Sequence, residues 1–340
     1  MNIHIIYETS VKGNGVYTSF IEHIDLMKSK NDVGIIINEE KGHGDILHSH
    51  TYGPYYFWKG IKYKHRRVLT VHVIPDSIKG SLPMWKLMLP LFKLYFKHVY
   101  SYADVCIAIS PHVHDTIKSL GSKTNIINIY NPISIEKWQR TDEMRQQGRA
   151  LLGLKDDVFV VLGVGQLQAR KGVEDFIDIS EQIPEAQFVW VGGRPFKTIT
   201  EGIARIDNRI QHAKSNIHFT GMLDLEKMPL VYAAADVMLF PSYQENCPLA
   251  PIEAACSGIP VIFRDLPEYV SLYENPYLKA TTTQNFIEMT KRLMTSPAEY
   301  QAGLNISKQL ITQFDKNIVR QKLLNVYTEL CQKNHPSYIS

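Results

Sequence analysis

The sequence predicts an α/β fold with two Rossmann-like, doubly wound domains that face each other across a cleft. Its 340 residues suit two domains of ordinary size. Short β-branched or aliphatic runs alternate with amphipathic segments along most of the chain. Because many of these runs are apolar at four or five successive positions, they indicate parallel strands that helices cover on both faces.

Taken in order, the strand-like runs form two groups. The first half contains IHIIY (3–7), VGIII (33–37), DILHSH (45–50), VLTVHV (68–73), VCIAI (105–109) and NIINIY (125–130). The second half contains VFVVLGVG (158–165), FVWVGG (188–193), NIHF (216–219), VMLF (237–240) and PVIF (260–263). The polar segment RTDEMRQQGRA (140–150) interrupts the alternation and is the predicted boundary helix and linker, so we predict domains at 1–150 and 151–314. Beyond residue 280 the strand-like runs stop, and FDKNIVRQKLLNVYTEL (314–330) predicts a long amphipathic helix.

Composition narrows the class of protein. Hydrophobic residues make up 44% and charged residues 21% of the chain, which is typical of a soluble globular protein. No run approaches the roughly 20 apolar residues that span a bilayer, and residues 1–7 read as a strand rather than a signal peptide. The four cysteines show neither CxxC pairs nor metal-ligand spacing, so we expect reduced thiols in the cytoplasm.

Charge is unevenly distributed along the chain. Residues 59–99 hold nine Lys or Arg and one acid, a local charge of +8 in a chain whose net charge is +3. A basic face on a nearly neutral protein indicates an anionic partner, and lipid headgroups, a phosphorylated substrate and nucleic acid are the candidates. Because this segment carries no known nucleic-acid-binding motif, we expect no nucleic-acid partner.

Two strand-to-helix loops carry glycines. In KGNGVYTSF (12–20), Gly15 permits close approach of the backbone to a ligand, but Thr18 breaks the dinucleotide pattern GxGxxG and plain turn chemistry is the alternative. In GVGQLQARKGVEDF (163–176), Arg170 and Lys171 stand at a helix start, where two cations and free N–H groups suit a diphosphate. A solvated pair of charges is the alternative there.

A third segment, MLFPSYQENCPLAPIEAACSGIPVI (238–262), runs from strand to loop to helix to strand. Pro248 and Pro251 favour a helix start, so Glu245 falls on the loop and Glu253 early in the helix. Carboxylates in these places can each accept two hydroxyl hydrogen bonds, which suits one sugar ring and one ribose. Solvent-facing acids are the alternative, which the apolar surroundings disfavour.

In combination these segments resemble the retaining glycosyltransferases of family 4. The Glu-x7-Glu run between FPS and A-x-x-G-x-P-V-I is similar to their donor-sugar motif, and GVGQLQARKGV is similar to their phosphate-binding motif. VGGRP (191–195) and FTG (219–221) stand where the family has VGxGP and F-x-G. The resemblance implies a GT-B fold with an acceptor domain followed by a donor domain, and a C-terminal helix (315–332) that crosses back onto the first. It also implies a nucleotide-sugar donor, retention of anomeric configuration, and neither a metal nor another cofactor.

The resemblance assigns roles to individual residues. Glu253 would hold the ribose hydroxyls, Glu245 the donor sugar and Lys171 the diphosphate. His72 would lie near the donor and acceptor sugars. The donor-binding residues that we expect are Gly15, Gln166, Gly192, Gly193, Asn246, Leu249 and Glu253.

Two departures from the family pattern concern the donor site. Gln166 stands where the family has an arginine, and Arg170 would supply the missing charge as a further catalytic residue. Cys247-Pro248-Leu249 replaces the family's FGL, and Pro248 removes one backbone N–H from the donor-sugar contacts. We therefore expect glucose or galactose without choosing between them.

Histidines raise the question of a metal site. HSH (48–50) and HVH (112–114) contain the residue type that binds zinc, but alternating histidines in strands or at loop edges are more often polar packing. No Asp-x-Asp occurs in the sequence. We therefore expect no metal.

A helix predicted over 84–100, MWKLMLPLFKLYFKHVY, points to the acceptor. Lys86, Lys93 and Lys97 fall within about 40° of one another around this helix, and Trp85 and Phe92 belong to the adjoining flank. A lysine–aromatic edge is typical of a helix at a membrane interface, and a wide core helix is the alternative. The opposite side, which we expect to be buried, consists of Met84, Met88, Leu91, Tyr95 and Val99.

The segment VHVIPDSIKGSL (71–82) is similar to the acceptor-side segment of bacterial diacylglycerol glycolipid synthases. We therefore expect an enzyme bound peripherally at the inner face of the cell membrane, which moves a hexose from a UDP-sugar to diacylglycerol or a glycosyl-diacylglycerol. One alternative is the same fold with a soluble or polyprenyl-linked acceptor in cell-envelope polysaccharide synthesis. Another is a nucleotide-sugar-binding protein without catalysis.

Overall fold

The computed structural model describes residues 1–8, 15–29, 32–78, 85–194, 203–273 and 276–334. The strands are β1 (Asn2–Ile6), β2 (Gly34–Ile37), β3 (Ile46–Ser49), β4 (Arg67–Val71), β5 (Val105–Ala108), β6 (Asn125–Asn128), β7 (Val160–Val164), β8 (Gln187–Val191), β9 (Ile217–Gly221), β10 (Val237–Phe240), β11 (Val261–Arg264) and β12 (Leu278–Ala280). The helices are α1 (Gly15–Lys28), α2 (Pro54–Gly60), α3 (Trp85–Tyr102), α4 (Pro111–Ser119), α5 (Ile135–Trp138), α6 (Asp142–Leu152), α7 (Val173–Glu181), α8 (Ile203–Gln211), α9 (Met228–Ala234), α10 (Ala250–Cys256), α11 (Pro267–Leu272), α12 (Thr283–Thr295), α13 (Pro297–Leu310) and α14 (Lys316–Asn334). Predictions that concern residues 12–14, 79–84 and Pro195 fall outside the described residues.

The strands form two six-stranded sheets in which the paired strands are parallel. The first has the order β2-β1-β3-β4-β5-β6 and the second the order β12-β11-β10-β7-β8-β9. Helices follow most strands, so the predicted doubly wound α/β fold is confirmed. In the second sheet the strand order reverses between β7 and β10, and ligands of open α/β sheets bind at the carboxyl ends of the strands at such a point.

The chain divides into two compact units. The first comprises residues 1–77, 87–133 and 314–340, and the second comprises 78–86 and 134–313. The division after residue 133 comes earlier than the boundary predicted at 150. The C-terminal helix α14 belongs to the first unit, where it contacts α1 and β3.

The segment 140–150, predicted as a boundary helix and linker, forms a helix that belongs to the second unit. Thr141 is the N-cap of helix α6, and its hydroxyl accepts a hydrogen bond from Met144 N (3.1 Å). Arg145 and Arg149 both pair with Asp236, at 2.6 Å and 2.9 Å, and α6 packs against α9. The polar residues that resemble a linker in the sequence therefore attach this helix to the second sheet.

Each unit has its own apolar core. In the second unit, Phe176 of α7 packs against Phe188 and Trp190 of β8. In the first unit, α14 contributes to the core that also contains residues of β1 and α1. Its buried residues there are Val319, Leu323, Val326, Tyr327 and Leu330.

One strand was not predicted. Strand β12 pairs with β11 through Leu278, Lys279 and Ala280. Three residues are too few to show the period of a strand, and only the neighbouring strand β11 supplies the hydrogen bonds that define it.

Candidate active site

Two glycine-rich turns lie side by side at the carboxyl ends of β7 and β8. Gly165 N donates a hydrogen bond to Val191 O (3.0 Å). Gly192 has a φ of +136°, and a Cβ there would collide with the carbonyl oxygen of Gly165, so only glycine permits this approach. The predicted donor-binding residues that these turns bring together are Gln166, Gly192 and Gly193.

The short 3-10 turn Ala169–Lys171 comes next in the chain. It ends at Gly172, whose φ is +72° and where a Cβ would collide with the carbonyl oxygen of Pro241, the residue after β10. Arg170 O accepts a hydrogen bond from Tyr243 N (2.7 Å). The cationic turn after β7 is thereby fixed to the loop after β10, at the point where the strand order reverses.

Lys171 and Glu245 form an ion pair across these two loops. Ser242 Oγ donates to the same carboxylate oxygen, Glu245 Oε1, at 2.6 Å. The side chains of the pair are only 15% and 9% exposed. Burial lowers the pKa of Lys171 below its ordinary value, and the charge of Glu245 opposes this effect. The ammonium group therefore lies where little water competes with an anionic ligand.

Arg170 lies on the same turn as Lys171. Its Nε donates to Gln168 Oε1 (2.9 Å) and its Nη1 approaches Gln244 O at 3.4 Å. Gln166, which stands where the family has an arginine, is a neutral amide in the turn just before. The two cations predicted to meet a diphosphate are thus adjacent.

Glu253 lies in the first turn of α10 and is buried. Tyr232 of α9 donates its hydroxyl to Glu253 Oε2 (2.7 Å). Burial and this carboxylate raise the pKa of Tyr232. Leu249 directly precedes the helix and its carbonyl accepts from Glu253 N (2.9 Å), while Asn246 is half-buried in the preceding loop. Nothing in the sequence around Tyr232 indicated this contact, because the two residues lie on different helices.

His72 follows β4 in the first unit, and Gly15 begins α1 of the same unit. The His72 ring hydrogen-bonds through Nε2 to His50 Nδ1 (3.0 Å). Burial lowers the pKa of His72 to about 3. The imidazole is therefore neutral at pH 7. It can donate and accept hydrogen bonds, but it is not protonated to the imidazolium form.

The two histidine pairs of the sequence have different surroundings. His48 and His50 are buried beside His23, and ring nitrogens of these three residues lie within 4.8 Å of one another. His114 of α4 instead contacts Asn128 Oδ1 through Nδ1 (2.9 Å). HSH and HVH therefore do not form one shared cluster.

Comparison with known proteins identifies the family. Residues 34–137 match the family described as Glycosyltransferase Family 4, and residues 158–296 match Glycosyl transferases group 1. The chain is 31% identical over 334 residues to the alpha-galactosylglucosyldiacylglycerol synthase of Streptococcus pneumoniae, with 95% of this chain and 87% of that protein covered. The chain belongs to the family 4 glycosyltransferases.

Further similarities support this assignment. The glycosyltransferase is 25% identical over 255 residues to the processive diacylglycerol alpha-glucosyltransferase of Acholeplasma laidlawii, with 74% of each chain covered. Its fold is similar to that of Anabaena Alr3699/HepE in complex with UDP-glucose, with a TM-score of 0.76 and 17% identity over 97% of this chain and 100% of that one. Sucrose-phosphate synthase from Thermosynechococcus elongatus also matches with a TM-score of 0.76, at 19% identity over 97% and 98% of the two chains. The predicted GT-B fold is thus confirmed.

Helix α3 of the glycosyltransferase exposes more apolar surface than the sequence predicted. Leu87, Leu91 and Leu94 are 70%, 70% and 68% exposed, and Met88 and Tyr95 are also exposed. The lysines of the predicted edge, Lys86, Lys93 and Lys97, are exposed as well, whereas Trp85 and Phe92 are half-buried. No helix in the described ranges has the length and apolar character that crossing a bilayer requires.

The predicted burial of Met88, Leu91 and Tyr95 is therefore wrong. The buried residues described in α3 belong to its last two turns: Phe96, Val99 and Tyr100. Tyr100 also donates its hydroxyl to Val73 O (2.9 Å). The helix is anchored near its carboxyl end. A helical wheel that assumes one buried face along the whole length therefore predicts burial in the first turns where the side chains are exposed.

Proposed function

We propose that this glycosyltransferase moves a glucose or galactose unit from a UDP-sugar to diacylglycerol or a glycosyl-diacylglycerol, with retention of configuration, at the cytoplasmic face of a membrane. The observation that carries the proposal is the Lys171–Glu245 pair, held with Arg170 at the reversal point of the second sheet. The relatives named as diacylglycerol glycosyltransferases support the lipid acceptor.

The donor would bind along the carboxyl ends of β7, β8 and β10. Glu253 accepts the ribose hydroxyls, and Tyr232 orients the carboxylate through its other oxygen. Glu245 contacts the sugar. Gly15, Gln166, Gly192, Gly193, Asn246 and Leu249 complete the set of residues that we assign to the donor.

The diphosphate leaving group would be stabilised without a metal. Its negative charge grows as the bond to the sugar breaks, and preorganised cations in a poorly hydrated place stabilise such charge strongly. Arg170 and Lys171 are the cations that the described loops offer beside Glu245. The ion pair with Glu245 holds Lys171 in place before the donor arrives.

The reaction would proceed by attack on one face of the sugar. The bond between C1 and the diphosphate oxygen breaks with its electron pair going to UDP, and the acceptor oxygen bonds to C1 on the same face. The acceptor proton passes to the departing phosphate oxygen. His72 takes no proton in this scheme, because its imidazole is neutral and a poor base at pH 7.

The acceptor would be reached through helix α3. Exposed leucines beside exposed lysines are suited to the boundary between lipid headgroups and acyl chains. Trp58 and Ile61 add exposed apolar surface on the neighbouring segment, where Phe57 packs against His98 of α3.

The test is a matrix of donors and acceptors. UDP-glucose and UDP-galactose are offered with diacylglycerol and glucosyl-diacylglycerol in anionic liposomes, with a polyprenyl phosphate and with free sugars. Products are identified by mass spectrometry and their anomeric configuration by NMR, with and without excess EDTA. We expect an α-linked glycolipid that forms equally with EDTA. Transfer only to a soluble or polyprenyl acceptor would refute the proposed lipid acceptor. A reaction that EDTA inhibits would refute the proposed metal independence. Absence of any transfer would favour a nucleotide-sugar-binding protein without catalysis.

A further inference from the structure

Arg264 is the last residue of β11 and lies buried beside the loop that follows β10. Its Nε donates a hydrogen bond to Pro241 O (2.8 Å), the same carbonyl oxygen that leaves no room for a Cβ at Gly172. Its guanidinium carbon lies 3.9 Å from the centroid of the Tyr243 ring, which is a cation–π contact. One buried cation therefore holds the loop on both sides of Ser242.

Asp175 attaches the same loop to α7, the helix that follows the cationic turn. Its carboxylate accepts the Tyr243 hydroxyl, with Oδ2 at 2.9 Å and Oδ1 at 3.1 Å. Oδ1 also forms an ion pair with Arg264 Nη2 (3.2 Å). Burial and this carboxylate raise the pKa of Tyr243, so the hydroxyl keeps its proton at neutral pH. Asp175, Tyr243 and Arg264 thus all contact one another, and we call them the loop network.

The loop network joins the two segments that carry the residues assigned to the diphosphate and the sugar. Arg170 and Lys171 belong to the turn before α7, and Glu245 belongs to the loop after β10. The backbone hydrogen bond from Tyr243 N to Arg170 O (2.7 Å) joins these segments directly, and the loop network adds a path through side chains. A displacement of about 1 Å at a reacting group can lower a rate about 100-fold, so contacts that fix these segments affect catalysis.

We propose that the three residues of the loop network are positioning residues, which hold the cationic turn at the distance from Glu245 that the reaction requires. This inference rests on the proposed function, because the roles of Lys171 and Glu245 come from there. A guanidinium suits the position of Arg264, because its planar fork reaches a carbonyl and a carboxylate while its face lies on an aromatic ring. The loop network itself touches neither the diphosphate nor the sugar in this scheme.

Simple support of the fold is the competing interpretation. Asp175 Oδ1 also accepts the hydroxyl of Thr283 in α12 (3.0 Å), a contact that attaches a helix rather than the loop. This contact provides a matched control. Tyr243→Phe and Thr283→Val each remove one hydroxyl from the same carboxylate, but only Tyr243→Phe releases the loop.

The first experiment measures binding of the diphosphate without any transfer of sugar. Isothermal titration gives the affinity for UDP and for UMP, which lacks the second phosphate, and we call the quotient of the two affinities the diphosphate ratio. Tyr243→Phe should lower this ratio about fivefold and leave UMP affinity within about twofold, since one hydrogen bond to a charged group is lost. Thr283→Val should leave the ratio within about twofold. An unchanged ratio in Tyr243→Phe, or an equal loss in both variants, would refute the proposal.

A double-mutant cycle then tests whether the loop network acts through the two cations. Tyr243→Phe is combined with the double variant Arg170→Ala and Lys171→Ala. Because residues that act as one unit are not additive, Tyr243→Phe should then lower the diphosphate ratio by less than about twofold. Additive losses would overturn the proposal, since they would mean that the loop network acts independently of the cations.

Arg264→Lys keeps the buried charge but loses the planar fork, so it cannot reach Pro241 O and Asp175 together. It should lower both kcat and the diphosphate ratio at least as much as Tyr243→Phe does. Unchanged values in the folded variant would contradict the proposal, and if the variant does not fold, Tyr243→Phe and Thr283→Val decide alone.

The two proposals can fail separately. If the wild type binds UDP but transfers no sugar, the proposed function fails, while the diphosphate ratio still tests the loop network. If the wild type transfers sugar and the ratio does not respond to Tyr243→Phe, only the positioning role fails. If the wild type binds neither nucleotide, both proposals are refuted.

Discussion

At the scale of single residues, Glu253 offers a test of the ribose assignment. Glu253→Ala should weaken UDP binding by about 1.5–3 kcal/mol, the range for hydrogen bonds to a charged group. Isothermal titration with UDP, which lacks the sugar, measures this loss directly. Tyr232→Phe should have a smaller effect, because the carboxylate remains and only its orientation is released. Glu288→Ala, at an exposed carboxylate of α12, is the control. Unchanged UDP affinity in folded Glu253→Ala would exclude the assignment.

The diphosphate assignment concerns Lys171 and Arg170. Lys171→Ala should lower kcat more than it raises the KM for the donor, because charge on the leaving group grows in the transition state. Arg170→Ala should do likewise if it replaces the arginine absent at position 166. Steady-state kinetics measure kcat and the donor KM of both variants. Lys291→Ala, at an exposed lysine, is the control. Full activity in Arg170→Ala would show that Arg170 does not take that role.

At the scale of the element, α3 should bind anionic membranes. Replacing Lys86, Lys93 and Lys97 by Gln should release the protein from anionic liposomes, since each basic residue near such a surface contributes about 1 kcal/mol, or about 3 kcal/mol together. UDP affinity should not change, because none of the residues assigned to the donor lies on α3. Cosedimentation at low and high salt measures the effect. Control substitutions Lys28, Lys41 and Lys322 to Gln remove the same charge from exposed positions elsewhere.

The exposed leucines of the same helix give a second, separable effect. Replacing the exposed residues Leu87, Leu91 and Leu94 together by Ser should weaken liposome binding at high salt as well as at low salt. Salt screens the attraction between charges but not the insertion of apolar side chains into the membrane. If the wild-type protein does not bind anionic liposomes even at low salt, both predictions are contradicted and a soluble acceptor is favoured.

At the scale of the whole molecule, the buried histidines make stability depend on pH. The pKa of His23, His48 and His50 is lower in the folded chain than the value near 6.5 of the unfolded one, so unfolded molecules take up these protons first. Their contribution is fully present above about pH 6.5 and is lost as pH falls toward about 3, the folded value of His23. Three such groups should lower the free energy of unfolding by about 4 kcal/mol for each pH unit below about pH 5.5. Urea unfolding at pH 7.5, 5.5 and 4.5 tests this, and equal midpoints would contradict it.

The sequence by itself determined the α/β class and the GT-B resemblance, and it predicted the donor residues, because each rests on signals that are local in the chain. Buried parallel strands are continuous apolar runs, and Lys171, Glu245 and Glu253 belong to short segments whose glycines and prolines mark the turns. Only the tertiary structure decided what depends on contact between distant residues. His23 meets Tyr327 across most of the chain, Tyr232 reaches Glu253 from another helix, and β12 is defined by its neighbour. The exposed face of α3 was decided in the same way, because the point at which a helix is anchored to its sheet is set by packing rather than by its own periodicity.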